Sequence, residues 1–215
     1  WPCWVPSLRW YFSAVFTTAN WRMWQADAFE YHAAFLGAAE ADAALQCLWT
    51  ELDWSQRKIT LFGRKVMQPR LVAWYGDPVA RYRYSGLTLE PLAWHPLLAR
   101  FRQRLESFTG QGFNSVLANA YRDGRDSMGW HRDDERELGA EPFIASLSLG
   151  AERRFLVRPL GSPEGVRARS RGLPLAHGSL LVMKGQSQRD FQPSLPKTRR
   201  PCGLRINLTY RKIET

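Results

Sequence analysis

The sequence predicts a mostly β fold with flanking helices, built as a closed or double-sheet β core behind an α/β front end. Three observations carry this. Ahead of Gly110, two stretches repeat their apolar residues every three or four positions. Beyond Gly110 the period falls to two, and five short segments follow, separated by turns rich in Gly, Pro and Asp. Strands that are this short and this numerous, following helices, bury their apolar faces best by closing or doubling a sheet with helices outside.

The elements follow in order. Residues 1–30 hold five of the ten tryptophans (Trp1, Trp4, Trp10, Trp21, Trp24) and read as an atypical Trp-rich extension. The apolar part of Tyr11–Val15 is broken by polar residues, with no small-residue cleavage site after it, so it does not read as a signal peptide. From Ala38 to Leu52, Ala41, Ala44, Leu45, Leu48 and Leu52 recur at helical spacing, and Trp54 closes that unit against the core. Ile59–Phe62, a turn at Gly63, Val66–Met67 and Arg70–Tyr75 read as strand, turn, strand, ended by Gly76-Asp77-Pro78. A second helix runs from Pro96 to Ser107 on Leu97, Leu98, Phe101 and Leu105. The later strands are Ser115–Tyr121, Pro142–Leu149, Arg154–Pro159, Gly178–Met183 and Leu204–Arg211, with a solvated basic loop at 161–172.

Composition narrows the function. Thirty Lys and Arg against 20 Asp and Glu give 215 residues a net charge of +10, which favours polyanionic partners. The excess clusters: Arg57, Lys58, Arg64, Lys65, Arg70, Arg81 and Arg83 face only Asp77 between residues 57 and 83. Three scattered cysteines exclude a disulfide-stapled scaffold or a zinc ribbon and fit a reducing compartment. No run of 18 apolar residues occurs, so no membrane span is expected.

His131 and Asp133 stand two apart in Gly129-Trp130-His131-Arg132-Asp133. On an extended backbone both side chains project from one face and can reach one ion, whereas on a helix they would diverge by about 200°. With a third ligand from elsewhere, such a pair makes the 2-His-1-carboxylate face that holds Fe(II) with open positions.

Four segments surround that pair in a fixed order: Asn119–Gly124 before it, then Ala145–Gly150, His177–Met183 and Arg205–Arg211. Gln68-Pro69-Arg70, Trp74–Asp77 and Tyr84–Leu89 precede them. Together they resemble the AlkB family of Fe(II)/2-oxoglutarate dioxygenases, which reverse alkylation damage on nucleic-acid bases, and the likeness spans residues 35–213. It implies a double-stranded β-helix core (a jelly roll, cupin-like) over residues 111–213. An N-terminal α/β nucleotide-recognition lid over residues 31–110 joins it in one folded domain.

The resemblance also implies roles. His131 and Asp133 look like iron ligands. Arg205 looks like the arginine that pairs with the distal carboxylate of 2-oxoglutarate, Asn119 and Tyr121 add polar contacts, and Arg211 stands beside the cosubstrate and Asp133. A guanidinium suits this, because it offers a carboxylate a two-pronged fork that lysine lacks. Leu61, Phe62 and Gly63 match the hairpin tip that fills the gap left by a flipped nucleotide in the member working on duplex DNA. Tyr82 and Tyr84 resemble the aromatics that sandwich the extruded base, Glu135 the acid that accepts from its exocyclic amine, and Arg70 falls among the substrate-binding residues. The third iron ligand departs from the pattern: the family carries histidine where this chain has Pro193, with Gln192 and Ser194 the nearest polar stand-ins.

Two functions follow. The first is oxidative dealkylation of 1-methyladenine and 3-methylcytosine in DNA, using Fe(II), 2-oxoglutarate and O2, by a monomer in the cytoplasm of a bacterium or the nucleus of a eukaryote. The alternative is a lesion- or DNA-binding relative that lost the third iron ligand.

Overall fold

The structure is a computed structural model that describes residues 28–61, 63–84, 87–161 and 169–214. Of residues 59–61, 64, 82–84 and 87–89 it describes the backbone alone.

Strand β1 (Phe29–His32) and helix α1 (Ala38–Glu51) come first, then the hairpin β2 (Lys58–Leu61) and β3 (Arg64–Met67), and β4 (Leu71–Gly76). A second hairpin, β5 (Tyr82–Tyr84) and β6 (Leu87–Leu89), leads to helix α2 (Pro96–Thr109). Behind these lie β7 (Ser115–Tyr121), β8 (Ile144–Gly150), β9 (Arg153–Pro159), β10 (Arg171–Leu175) and β11 (Leu180–Met183). The chain ends with a single helical turn α3 (Ser187–Asp190), β12 (Phe191–Ser194) and β13 (Arg205–Arg211).

A six-stranded antiparallel sheet runs in the order β1-β11-β8-β13-β7-β4, and a three-stranded sheet runs β10-β9-β12. One cavity takes its wall from both, with Asn119, Ser146 and Asn207 from the large sheet and Phe155, Leu175 and Pro193 from the small one. These are the two sheets that the strand pattern allows, in the jelly-roll arrangement that the resemblance implies.

The period of two explains how the large sheet works. Val116, Ala118, Ala120, Ala145, Leu147, Leu149, Ile206, Leu208 and Tyr210 all belong to the main apolar core. Helix α1 adds Ala41, Ala44 and Leu48 to it, and α2 adds Leu98, Phe101 and Leu105. Of the alternate residues of the same strands, Asn119, Tyr121, Ser146, Arg205, Asn207, Thr209 and Arg211 line the cavity. Register aligns them: Asn207 lies opposite Asn119 on β7 and Ser148 on β8. Tyr210 ties the helical layer to the sheet, its hydroxyl donating to Leu98 O at 3.0 Å.

Local chemistry ends the elements where expected. His95 caps α2, its Nδ1 accepting from Leu97 N at 3.2 Å ahead of Pro96. Gly110 closes the helix at φ 70°, a left-handed conformation that suits glycine. Gly150 has φ 81°, and a Cβ there would collide with the Leu204 carbonyl. Trp54 donates from Nε1 to Leu48 O and Trp49 O, closing α1 as its position suggests.

Several elements differ from the sequence reading. Phe29–His32 pair with β11, so the large sheet begins inside the segment read as extension. Residues 171 and 172, read as the end of a solvated loop, already belong to β10, which pairs with β9; residues 162–168 of that loop lie outside the described residues. Strand β12 departs from expectation because Pro193 sits in it. Proline gives no N–H to a ladder, but β12 is an edge strand of its sheet, where that loss is tolerated.

Candidate active site

The inward face of β13 carries the site. Arg205, Asn207, Thr209 and Arg211 alternate along it and line the cavity, as the alternation predicts. His131 and Asp133, on the irregular segment after Met128, line the same cavity. Arg205 is 1% exposed, the largest fully buried side chain described. It donates to Ser148 Oγ at 2.9 Å and to Leu175 O at 3.3 Å, while its Nε has no partner among the described residues. Burial pulls its pKa down to about 10, which still leaves it charged at neutral pH. A buried cation held only by neutral acceptors is costly unless an anion joins it. The site therefore fits a carboxylate arriving from outside the chain.

Arg211 contrasts with it. Its NH2 lies 2.6 Å from Asp133 Oδ2, with both side chains largely buried. Asp133 is positioned further by Gln188, whose Oε1 accepts from Asp133 N at 3.0 Å. His131 is set by two bonds. Its ring Nδ1 is 3.0 Å from Gly129 O, an arrangement that protonates Nδ1 and leaves Nε2 as the free donor. Its backbone N donates to Pro193 O at 3.1 Å. Burial lowers the His131 pKa and favours the neutral ring that a cation needs.

Asn119 and Tyr121 also line the cavity. Arg70 donates from Nε to Asn119 Oδ1 at 2.8 Å, so it grips a residue expected at the cosubstrate. Buried Tyr121 has its pKa raised by desolvation, and its hydroxyl stands 3.8 Å from Met128 Sδ. Glu135 does not line the cavity, but its Oε2 is buried with no hydrogen-bond partner among the described residues, an unused acceptor two residues beyond Asp133. Gly63 turns the β2–β3 hairpin at φ 75°. Phe62 lies outside the described residues, as do the side chains of Leu61, Tyr82 and Tyr84.

The donor set fits a divalent cation with two protein ligands. Pro193 lines the cavity beside His131 and offers it no donor atom. The stand-ins proposed from sequence do not reach it. Gln192 Oε1 accepts twice from Arg158, Ser194 Oγ donates to Met128 O, and neither side chain lines the cavity, because alternation turns both away from the face of Pro193. His177 is also remote, with Nδ1 accepting from Gly150 N and Nε2 3.2 Å from Asp42 on α1. Among the described residues, one group of three metal-type side chains converges elsewhere: Cys47, Glu51 and His95. His95 Nδ1 is engaged in capping α2 there, and its Nε2 faces the Glu51 carboxylate.

Sequence reasoning missed Ser148, Gln188 and Arg153. Ser148 could have been found, since it falls on the polar alternation of β8. Arg153, 4% exposed, holds the site loop by donating to the carbonyls of Asp123, Asp126 and Pro196, and no spacing points to it.

The comparisons agree with this geometry. The model of the 2OG-Fe(II) oxygenase superfamily matches residues 28–211. Alpha-ketoglutarate-dependent dioxygenase alkB homolog 3 of Homo sapiens is 42% identical over 184 residues, 83% of this chain and 64% of that protein. The chain thus spans less than two thirds of that relative's length. DNA oxidative demethylase ALKBH2 of Homo sapiens is 41% identical over 201 residues, covering 90% of this chain and 77% of that one. Among solved structures, OsALKBH1 superposes with a TM-score of 0.58 at 16% identity, covering 86% of this chain and 98% of that one. A 2OG-Fe(II) oxygenase family protein from Burkholderia pseudomallei gives 0.57 at 17%, over 91% and 90%. With a buried arginine and a histidine–aspartate pair lining one cavity inside a jelly roll, and with these relatives, the chain belongs to the AlkB family of 2OG-Fe(II) oxygenases.

Proposed function

We propose that the protein oxidatively dealkylates N-alkylated bases in DNA, 1-methyladenine and 3-methylcytosine above all, with Fe(II), 2-oxoglutarate and O2. One observation carries the reading: the buried Arg205 fork, without an anion of its own, opens into the same cavity as His131 and Asp133. Arg205 receives the distal carboxylate of 2-oxoglutarate on two parallel hydrogen bonds, and Ser148 and Leu175 O keep the guanidinium in plane for it. Asn119, oriented by Arg70, and Tyr121 orient the rest of the cosubstrate. His131 Nε2 and the Asp133 carboxylate hold the metal, and Gln188 and Arg211 hold Asp133. When bound, iron and cosubstrate supply the oxidising power that hydroxylates the N-alkyl carbon, after which the product collapses to formaldehyde and the restored base.

The substrate side rests on charge and on the lid. The +10 chain draws phosphates, and exposed Trp130 beside His131 carries Arg158 over its ring at 4.4 Å. The hairpin tip at Leu61, Phe62 and Gly63 is the wedge for duplex DNA, Tyr82 and Tyr84 stack the flipped base, and Glu135 accepts from its amine. The protein works as a monomer, in the cytoplasm of a bacterium or the nucleus of a eukaryote. No helix among the described residues is long and apolar enough to cross a membrane.

Pro193 favours a second reading, a protein that binds methylated DNA without turnover. The test offers the chain a 1-methyladenine oligonucleotide and its unmethylated twin, with Fe(II), 2-oxoglutarate and air. Formaldehyde from the methylated strand alone is the expected result. Selective binding of that strand with no formaldehyde supports the second reading, and equal binding with no formaldehyde defeats both.

A further inference from the structure

We propose that the groove between α1 and α2 binds Zn(II) through Cys47, Glu51 and His95, tying the end of one helix to the start of the other. The groove shares no lining residue with the cavity of His131 and Asp133.

Three observations converge. The first is geometry. Cys47 and Glu51 stand four apart on one face of α1, and His95 comes from the residue that caps α2. Their ligand atoms all lie within 4.8 Å of one another. Cys47 Sγ is 3.3 Å from Glu51 Oε1, and His95 Nε2 is 3.0 Å from Glu51 Oε2. Around a tetrahedral zinc, bonds of about 2.3 Å to sulfur and about 2.0–2.2 Å to nitrogen and oxygen set neighbouring ligand atoms about 3.3–3.6 Å apart, so small rotations complete the site. The second is donor type. A thiolate, an imidazole and a carboxylate suit zinc, whereas Mg(II) and Mn(II) favour oxygen alone.

The third is charge. Without a cation, protons hold the trio together, because the Cys47 thiol and the His95 ring both face one carboxylate. Burial and Glu51 push the thiol pKa up, while Arg100 in the same groove pulls it down. Zinc takes the place of both protons. The thiol releases its proton to solvent, and the proton on His95 Nε2 moves to Nδ1, breaking the 3.2 Å bond that Nδ1 accepts from Leu97 N. Thiolate and carboxylate then neutralise the dication. Both helices pack on one core, through Leu48 of α1 and Leu98 of α2, so the metal braces a single layer.

The test is anaerobic titration of Co(II), a spectroscopic substitute for zinc, into the fully reduced full chain. It reads the thiolate-to-cobalt absorption in the near ultraviolet. His131 and Asp133 bring no thiolate, so metal in their cavity adds nothing to this band. The expected band saturates near one equivalent, disappears when Zn(II) is added, and persists in Cys202→Ser. Cys47→Ser should abolish it. His95→Asn keeps an acceptor suited to the helix cap but removes the ring nitrogen. It should need more than about tenfold more Co(II) to reach half of the band, since even changes behind a ligand cost about 10–100-fold. Thermal melting without metal checks that each variant folds, and either one suffices if the other does not. No band in the parent, a band lost in Cys202→Ser, or a band unchanged in Cys47→Ser or His95→Asn would overturn the proposal. The dealkylase reading stands or falls separately, on formaldehyde release.

Discussion

Arg205→Met is expected to abolish 2-oxoglutarate binding while raising the melting temperature of the free protein. The two effects have opposite signs because they come from one cause. Arg205 is buried at 1% exposure, keeps a full charge, and meets only a serine hydroxyl and a backbone carbonyl. A buried charge with no charged partner carries an uncompensated desolvation cost, so an apolar side chain of similar length is expected to be neutral or stabilising there. In a domain of this size each kcal/mol moves the midpoint by about 2–4 °C. Removing the fork from a buried carboxylate costs about 2–5 kcal/mol of binding, which at the middle of that range is more than 100-fold in affinity. Arg205→Lys keeps the charge without the fork and should lose most of the affinity with no gain in stability. Calorimetry with 2-oxoglutarate and thermal melting read the two effects separately. A variant that melts lower and still binds 2-oxoglutarate would show that Arg205 is an ordinary structural cation.

Arg211→Met should do the reverse to stability. Six residues along the same strand, this arginine is paired with Asp133, which is 7% exposed and would be left as a buried carboxylate alone. Breaking one side of a buried pair destabilises by about 3–5 kcal/mol, measured as a lower urea midpoint. The double variant Arg211→Met with Asp133→Asn removes both charges and should recover most of that loss. An unchanged midpoint in Arg211→Met would mean that the 2.6 Å contact contributes nothing to folding.

Much of the site is legible in the sequence. The spacing of Arg205, Asn207, Thr209 and Arg211 places polar groups on one face of an apolar strand, and a polar face between apolar neighbours inside a core demands a ligand or a partner. Both outcomes occur: Arg211 has its partner, and Arg205 has none that is charged. The His131–Asp133 spacing is legible as well, and both residues line the one cavity. The small sheet is harder to read. Strands β10 and β12 contain Gly172, Pro174 and Pro193, residues that argue against a strand unless it lies at an edge, and edge position is a tertiary fact. Gln188 and Arg153 stay hidden for a different reason. Each acts on backbone atoms far away in sequence, and no local pattern marks such a contact.

One cavity is expected to hold a cation at His131 and Asp133 and a dicarboxylate at Arg205, and everything proposed for the chemistry depends on that pairing. The most direct measurement is a crystal of the protein grown with Mn(II) and 2-oxoglutarate, with an anomalous difference map at the manganese edge. The expected map has a single strong peak between His131 Nε2 and the Asp133 carboxylate, with the far carboxylate of 2-oxoglutarate on the Arg205 guanidinium. A peak at Cys47, Glu51 and His95 instead, or 2-oxoglutarate bound away from Arg205, would contradict that pairing.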